Sequence, residues 1–277
     1  MLDWLLAPFE LAFMQRALLG GILVGALCAV VGSFVVLRGM AFVGDALAHA
    51  AFPGVVIAYL LQANIYLGAT FSTLATAIGI GFVSRRARTS QDTAIGILFA
   101  GAFALGVLLL SGIQGYTVDL FSFLFGNILG VSATDLLLLG GLAAIVLGIV
   151  SLLYKELLLA SFDPVVAAAM GYPVWLLDYL LLALIALTIV TAIQAVGIIL
   201  VVALLVTPSA TGYLLAERFL PMMLWVVAAA VLAAVLGLYA SFYLNVASGA
   251  AIVVVSTCLF FVTLGCRRLR GDISPPP

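Results

Sequence analysis

His49 is the only histidine in the chain, and it stands four residues after Asp45 in the run Arg38-Gly39-Met40-Ala41-Phe42-Val43-Gly44-Asp45-Ala46-Leu47-Ala48-His49-Ala50-Ala51-Phe52-Pro53-Gly54. On a helix that spacing puts a carboxylate and an imidazole on one face. Their neighbours are Ala, Leu and Phe, and a carboxylate in hydrocarbon is costly enough that such residues line a pathway or pair with one another. Carboxylate oxygen with imidazole nitrogen is a ligand set suited to manganese, iron or zinc. Two ligands do not hold a metal by themselves. A symmetry-related copy or water must complete the shell, and an incomplete shell suits a passing ion, because a closed four-ligand site would trap it. Pro53 has no backbone N–H, which frees a carbonyl in the same run. The plainer reading is that Asp45 accepts a hydrogen bond from His49, or caps the helix beside Gly44. The scarcity of charge in this chain favours a site.

That scarcity also fixes the setting. Of 277 residues 66% are hydrophobic and 8% charged, and the mean hydropathy is +1.39. Ordinary soluble domains carry about a quarter charged residues, so a water-soluble fold could not cover this much apolar surface. A spanning helix needs about 20 apolar residues, which bounds the spans at roughly eight to ten. Continuous rather than alternating apolar runs exclude a β-barrel. A net charge of −1 gives no electrostatic case for nucleic acid. Cys28, Cys258 and Cys266 lie in or beside apolar runs and form no CxxC, which argues against a disulfide framework; Cys28 and Cys258 read as small buried hydrophobes. Asp3 and Glu10 precede the first cation, Arg16, so the first apolar run reads as a retained span rather than a leader.

Polar punctuation predicts spans over 12–37, 42–62, 66–84, 93–112, 133–154, 174–192, 195–215, 222–243 and 247–265. The fold expected is therefore all-α and polytopic, with eight to nine transmembrane helices in one membrane domain over 1–277, and 270–277 as a disordered tail ending in three prolines. The stretch 113–132 is too polar at its start for a span and reads as a surface-lying or half-inserted helix. Cations gather at Arg38, at Arg85, Arg86 and Arg88, at Lys155, at Arg218, and at Arg267, Arg268 and Arg270. With nine spans these fall on alternate connections, while 62–66, 113–132, 192–195 and 243–247 carry no Lys or Arg. The positive-inside rule then puts the cationic side and the C-terminus in the cytoplasm; merging the helices that flank 193–195 would move the N-terminus to the other side. Arg85, Arg86, Arg88 and the C-terminal arginines read as topology anchors. No internal repeat and no GxxxxGK[ST] phosphate loop is present, so any ATPase that drives this protein is another chain.

On the cationic side, Asp163 has the position of an N-cap and Pro164 that of the first helical residue. Ala167, Ala168 and Met170 follow, and Gly171 with Pro173 stops the helix. A short helix of two turns is predicted there. It is either an ordinary capped connector or, with its small residues, a surface for close docking into a groove. Pro208 within 195–215 kinks a helix beside a pathway or in simple packing. Asp119 and Asn127 belong to the outer face, where they border an entrance or are merely solvated.

Taken together the residues resemble the permeases of metal-ion ABC importers, whose pattern near the first two helices is approximately GS(F)xxLRxMxxxGDAxxHAxxPG. Here Gly32-Ser33-Phe34, Leu37-Arg38, Met40, Gly44-Asp45-Ala46, His49-Ala50 and Pro53-Gly54 match it. Asp92-Thr93-Ala94-Ile95-Gly96-Ile97, Asp119-Leu120-Phe121, Leu124-Phe125-Gly126-Asn127-Ile128-Leu129, Ser161-Phe162-Asp163 and Thr207-Pro208-Ser209-Ala210-Thr211 extend the match, the last with Ser209 in place of the family's Ala. The resemblance implies the transmembrane subunit of an importer of the metal/cobalamin type in a prokaryotic plasma membrane. It implies a second permease chain in a homodimer or heterodimer, two cytoplasmic ATP-binding subunits and an extracytoplasmic metal-binding protein. It also implies that Asp45 and His49 contact the passing ion, that no cofactor is resident, and that the segment from Asp163 through Gly171 is the coupling helix. The LFGNIL wording is closest to manganese members, with zinc or iron as alternatives. A proton-coupled secondary transporter, with Asp45 and His49 relaying protons, is the rival of another class. An intramembrane enzyme is disfavoured, because one histidine and few acids leave little machinery and HExxH is absent.

Overall fold

The computed structural model of the chain describes residues 10–112 and 128–269. Among the described residues every regular element is helical, and nine helices are long and apolar enough to cross a bilayer. These are α1 (Ala12–Leu37), α2 (Val43–Leu60), α3 (Ile65–Ala87), α4 (Gln91–Ser111), α5 (Ala133–Leu152), α8 (Val174–Val196), α9 (Ile198–Leu215), α10 (Phe219–Leu244) and α11 (Ser248–Leu269). Two short helices, α6 (Tyr154–Phe162) and α7 (Pro164–Ala169), fill the connection between α5 and α8.

In hydrocarbon every backbone polar group needs a partner within the protein, and α3, α4 and α5 open on side-chain caps that supply one. Asn64 opens α3 by accepting from the N–H groups of Tyr66 and Leu67. Ser90 opens α4, and Ser132 with Asp135 forms a reciprocal capping box on α5. The end of α1 is closed by backbone alone. Gly39 N–H donates to the Val36 carbonyl and Met40 N–H to that of Val35, with Gly39 at φ +69, which is the Schellman closure. Met40 is buried, and the chain turns directly into α2.

Helices α1, α2 and α8 form the inside of the bundle, whereas α4, α5, α10 and α11 expose most of their apolar surface in the single chain. α1 packs against α5, α8, α9 and α10, and α2 against α3 and α4. The α2–α3 crossing is close. A Cβ on Gly54 would meet the Gly68 carbonyl oxygen, and one on Gly68 would meet the Gly54 carbonyl oxygen and lie 2.6 Å from Ala58 Cβ. Small residues let the two backbones approach in this way, and Ser72 Oγ adds a 2.7 Å bond to the Ala50 carbonyl. This contact fixes the rotation of α2.

The expected spans agree with the observed helices within a few residues at each end, and some details differ. The fifth span stops at Leu152, because Leu153 leaves the helical region and α6 begins at once; α6 has no counterpart among the expected elements. The eighth helix runs through Gln194 and ends at Gly197, φ +80, rather than near 192. Gln194 has the polarity of punctuation, but only the glycine backbone turns the chain. Cys28 is buried as expected, whereas Cys258 is exposed on the outer face of α11. Of the stretch 113–132, Ile128–Gly130 is a short 3-10 turn; residues 113–127, with Asp119 and Asn127, and the tail 270–277 lie outside the described residues.

Candidate functional site

Asp45 occupies the first turn of α2 and His49 the next. The N-cap position is Phe42, which makes no side-chain cap bond, so Asp45 does not serve as the helix cap. His49 Nδ1 lies 2.9 Å from the Asp45 backbone carbonyl and 3.3 Å from Asp45 Oδ1. A carbonyl only accepts, so Nδ1 is the donor in this contact, and in the neutral imidazole that tautomer leaves the Nε2 lone pair available. Metal-bound histidines are oriented the same way, donating the other ring nitrogen to a carbonyl or carboxylate. The imidazole is flanked edge-on by Phe99 and Phe103 of α4, at 5.5 and 5.6 Å between ring centroids. Pro53, four residues on, has no N–H to return to the His49 carbonyl.

The pair is open on one side. The Asp45 side chain is 44% exposed and that of His49 26%, on the face where α2 meets α4. Beside Asp45 lies a cleft of about 230 Å³ bordered by Phe42, Asp45, Ala46, Asp92 and Phe99. Among the described residues no three His, Cys, Asp or Glu side chains converge on one point. Among the described residues a single chain therefore offers one carboxylate and one imidazole as a pair, with Asp92 also lining the cleft beside Asp45.

The second group of sequence-predicted residues forms the short helix α7. Asp163 Oδ1 accepts from Val165 N–H at 3.0 Å and Val166 N–H at 2.9 Å, and Pro164 takes the first helical position. Gly171, φ +86, closes the helix, with its own N–H on Ala168 and the Tyr172 N–H on Ala167. Ala167 is fully buried against the bundle, while Ala168, Met170 and Gly171 are exposed. The outward face is apolar, with Phe162, Val165 and Met170 each more than half exposed. Pro208 is buried inside α9, next to Ser209, whose hydroxyl donates to the Leu205 carbonyl at 2.8 Å.

Some polar residues do more than the sequence suggests. Arg85 is not merely an anchor, because it shares Asp178 with Arg38 in a two-arginine ion pair. Asp178 escapes sequence reading although it gives the same signal as Asp45, being the lone acid of an apolar run. Asp92 stands out in the sequence only as part of a motif.

A model of the ABC 3 transport family matches residues 10–267. The chain belongs to the ABC 3 transport family. Within it the chain is 51% identical over 264 residues to a manganese transport system membrane protein, MntC, of Halalkalibacterium halodurans, covering 95% of this chain and 90% of that protein. It is 38% identical over 271 residues to a probable iron transport system membrane protein of Haemophilus influenzae, covering 98% and 99%. A solved structure of PsaBC from Streptococcus pneumoniae in complex with Fab superposes with a TM-score of 0.82 at 39% identity, covering 94% of each chain. The similarity thus extends over all nine spans rather than over one motif.

Proposed function

We propose that this chain is the permease subunit of an ATP-driven importer of divalent transition metal ions, and that manganese is the ion it carries. The observation that carries this reading is the held geometry of α2. The Asp45 carbonyl holds His49 Nδ1 at 2.9 Å, which in the neutral imidazole leaves Nε2 as the nitrogen available to a metal, beside a part-exposed Asp45 side chain. A second copy brought up to the open side of the pair supplies another carboxylate and imidazole, and water fills the remaining positions. Oxygen-rich, partly hydrated coordination suits manganese, and the names of the relatives point the same way. Iron is the second reading, supported by the iron-transport name of the Haemophilus influenzae relative.

On this reading the cationic ends face the cytoplasm, as does the C-terminus. Two ATP-binding chains dock on the apolar face of α7, and an extracytoplasmic binding protein delivers the ion. The permeases pair as a homodimer, and closure of the motor changes the relative access of the Asp45–His49 pair to the two sides, a shift between two states. The decisive test is manganese uptake by proteoliposomes that hold the permease, its ATPase chains and the binding protein. Uptake is expected to need ATP and to be lost in Asp45→Asn and His49→Gln while the complex still assembles. Uptake that persists without the ATPase chains would favour a proton-coupled carrier instead.

A further inference from the structure

The cationic end of the bundle contains a polar junction, built around the buried side chain of Arg38, that the transport reading leaves without a role. Arg38 is the last residue before the Gly39 turn, and its side chain is only 7% exposed. Its Nε donates to Ser161 Oγ at 2.9 Å and its Nη1 to Asp178 Oδ1 at 2.8 Å. The other carboxylate oxygen of Asp178 accepts from Arg85 Nη2, also at 2.8 Å. One guanidinium therefore ties the end of α1 to the penultimate residue of α6 and to the first turns of α8, while Arg85 adds the end of α3. Ser161 stands two residues before Asp163, which caps α7. On the other side of Arg38, the Gly39–Met40 turn leads into the α2 turn that holds Asp45.

The junction is also incompletely satisfied. Arg38 Nη2 is buried and has no hydrogen-bond partner among the described residues, and two cations share a single carboxylate. Buried donors are almost always paired, so an arrangement that leaves one free invites a second arrangement that engages it. Energetic coupling between distant sites is carried by contiguous side-chain networks with two discrete arrangements; this junction is such a contiguous network, and the unengaged Nη2 is the donor that a second arrangement would use.

We propose that Arg38 is a positioning residue that links the motor-facing segment α6–α7 to the metal-bearing helix α2. A displacement of α7 moves Ser161. Through the guanidinium it shifts the α1–α2 turn against Asp178, and the Asp45–His49 pair turns with it. The inference rests on the reading of Asp45 and His49 as the ion-contacting pair. It adds the connection by which the motor reaches them.

The test measures ATP hydrolysed per manganese ion imported in proteoliposomes of the full complex, together with manganese affinity of the permease. Ser161→Ala removes one acceptor. Arg38→Lys keeps the charge but replaces a fork with a single ammonium, which cannot hold both partners in the same geometry. Each variant is expected to raise the ratio about tenfold or more, the effect of one lost hydrogen bond to a charged group, with manganese affinity unchanged. The double variant is expected to be little worse than either single one, because the two changes break the same contact. An unchanged ratio in Ser161→Ala overturns the proposal, even if Arg38→Lys fails to assemble. So does a raised ratio accompanied by lost manganese binding. Asp45→Asn, run alongside, separates the two levels: uptake that survives it rejects the ion-contacting pair, whatever the ratio shows.

Discussion

Asp163→Ala tests whether α7 acts as an ordered docking element. The helix has only six residues, far below the length at which a helix is stable alone. Its order depends on Asp163 Oδ1, which accepts the N–H groups of Val165 and Val166 at 3.0 and 2.9 Å, and on the closure at Gly171. Replacing an N-cap carboxylate by Ala costs about 1 kcal/mol, and losing a negative charge at the helix N-terminus adds a few tenths. Since about 1.4 kcal/mol is a tenfold change in an equilibrium, the ratio of ordered to frayed α7 should fall roughly five- to tenfold. Asparagine caps almost as well as aspartate, so Asp163→Asn should keep most of the order. In proteoliposomes of the full complex, manganese uptake by Asp163→Ala is expected to drop several-fold and that by Asp163→Asn to stay above half of normal. Equal uptake by Asp163→Ala and the unaltered protein would refute the reasoning. Equal damage in both variants would show that the charge, not the cap, is needed.

Two more outcomes come from the packing and the topology. Gly68→Ala places a Cβ against the Gly54 carbonyl oxygen and 2.6 Å from Ala58 Cβ, and overpacking of that kind costs about 1–3 kcal/mol. Its unfolding midpoint in detergent should fall clearly, whereas Gly148→Ala, which meets nothing within 4 Å, should leave it unchanged or slightly raised. A fluorescent protein that matures only in the cytoplasm, fused after Pro277, should fluoresce in intact cells; a dark fusion at normal expression would reverse the orientation drawn from the arginines.

The spans were legible because apolar runs bounded by turn residues leave a bilayer helix little freedom, and α1 begins and ends where the pattern predicts. The short helix α7 was legible too, because Asp163, Pro164 and Gly171 each act within one turn of chain. What the sequence did not reveal is long-range. Arg38 and Asp178 lie 140 residues apart, and neither carries a local sign of the other. The break between α8 and α9 depends on the φ angle of Gly197, not on the polar Gln194 before it. Spacing alone put Asp45 and His49 on one face. That Nδ1 turns back to the Asp45 carbonyl and, in the neutral imidazole, leaves Nε2 available emerges only from the ring's placement between that carbonyl and two phenylalanines.

Because His49 is the only histidine of the chain, one spectroscopic signal reports on it without ambiguity. Pulsed electron paramagnetic resonance of Mn²⁺ bound to the permease, purified in nanodiscs through a histidine-free tag, should show imidazole ¹⁴N coupling. That coupling should vanish in His49→Gln, and Asp45→Asn should weaken binding of the ion. Saturated Mn²⁺ without the nitrogen signal, or a signal unchanged in His49→Gln, would contradict the assignment of the pair as the resting place of the transported ion.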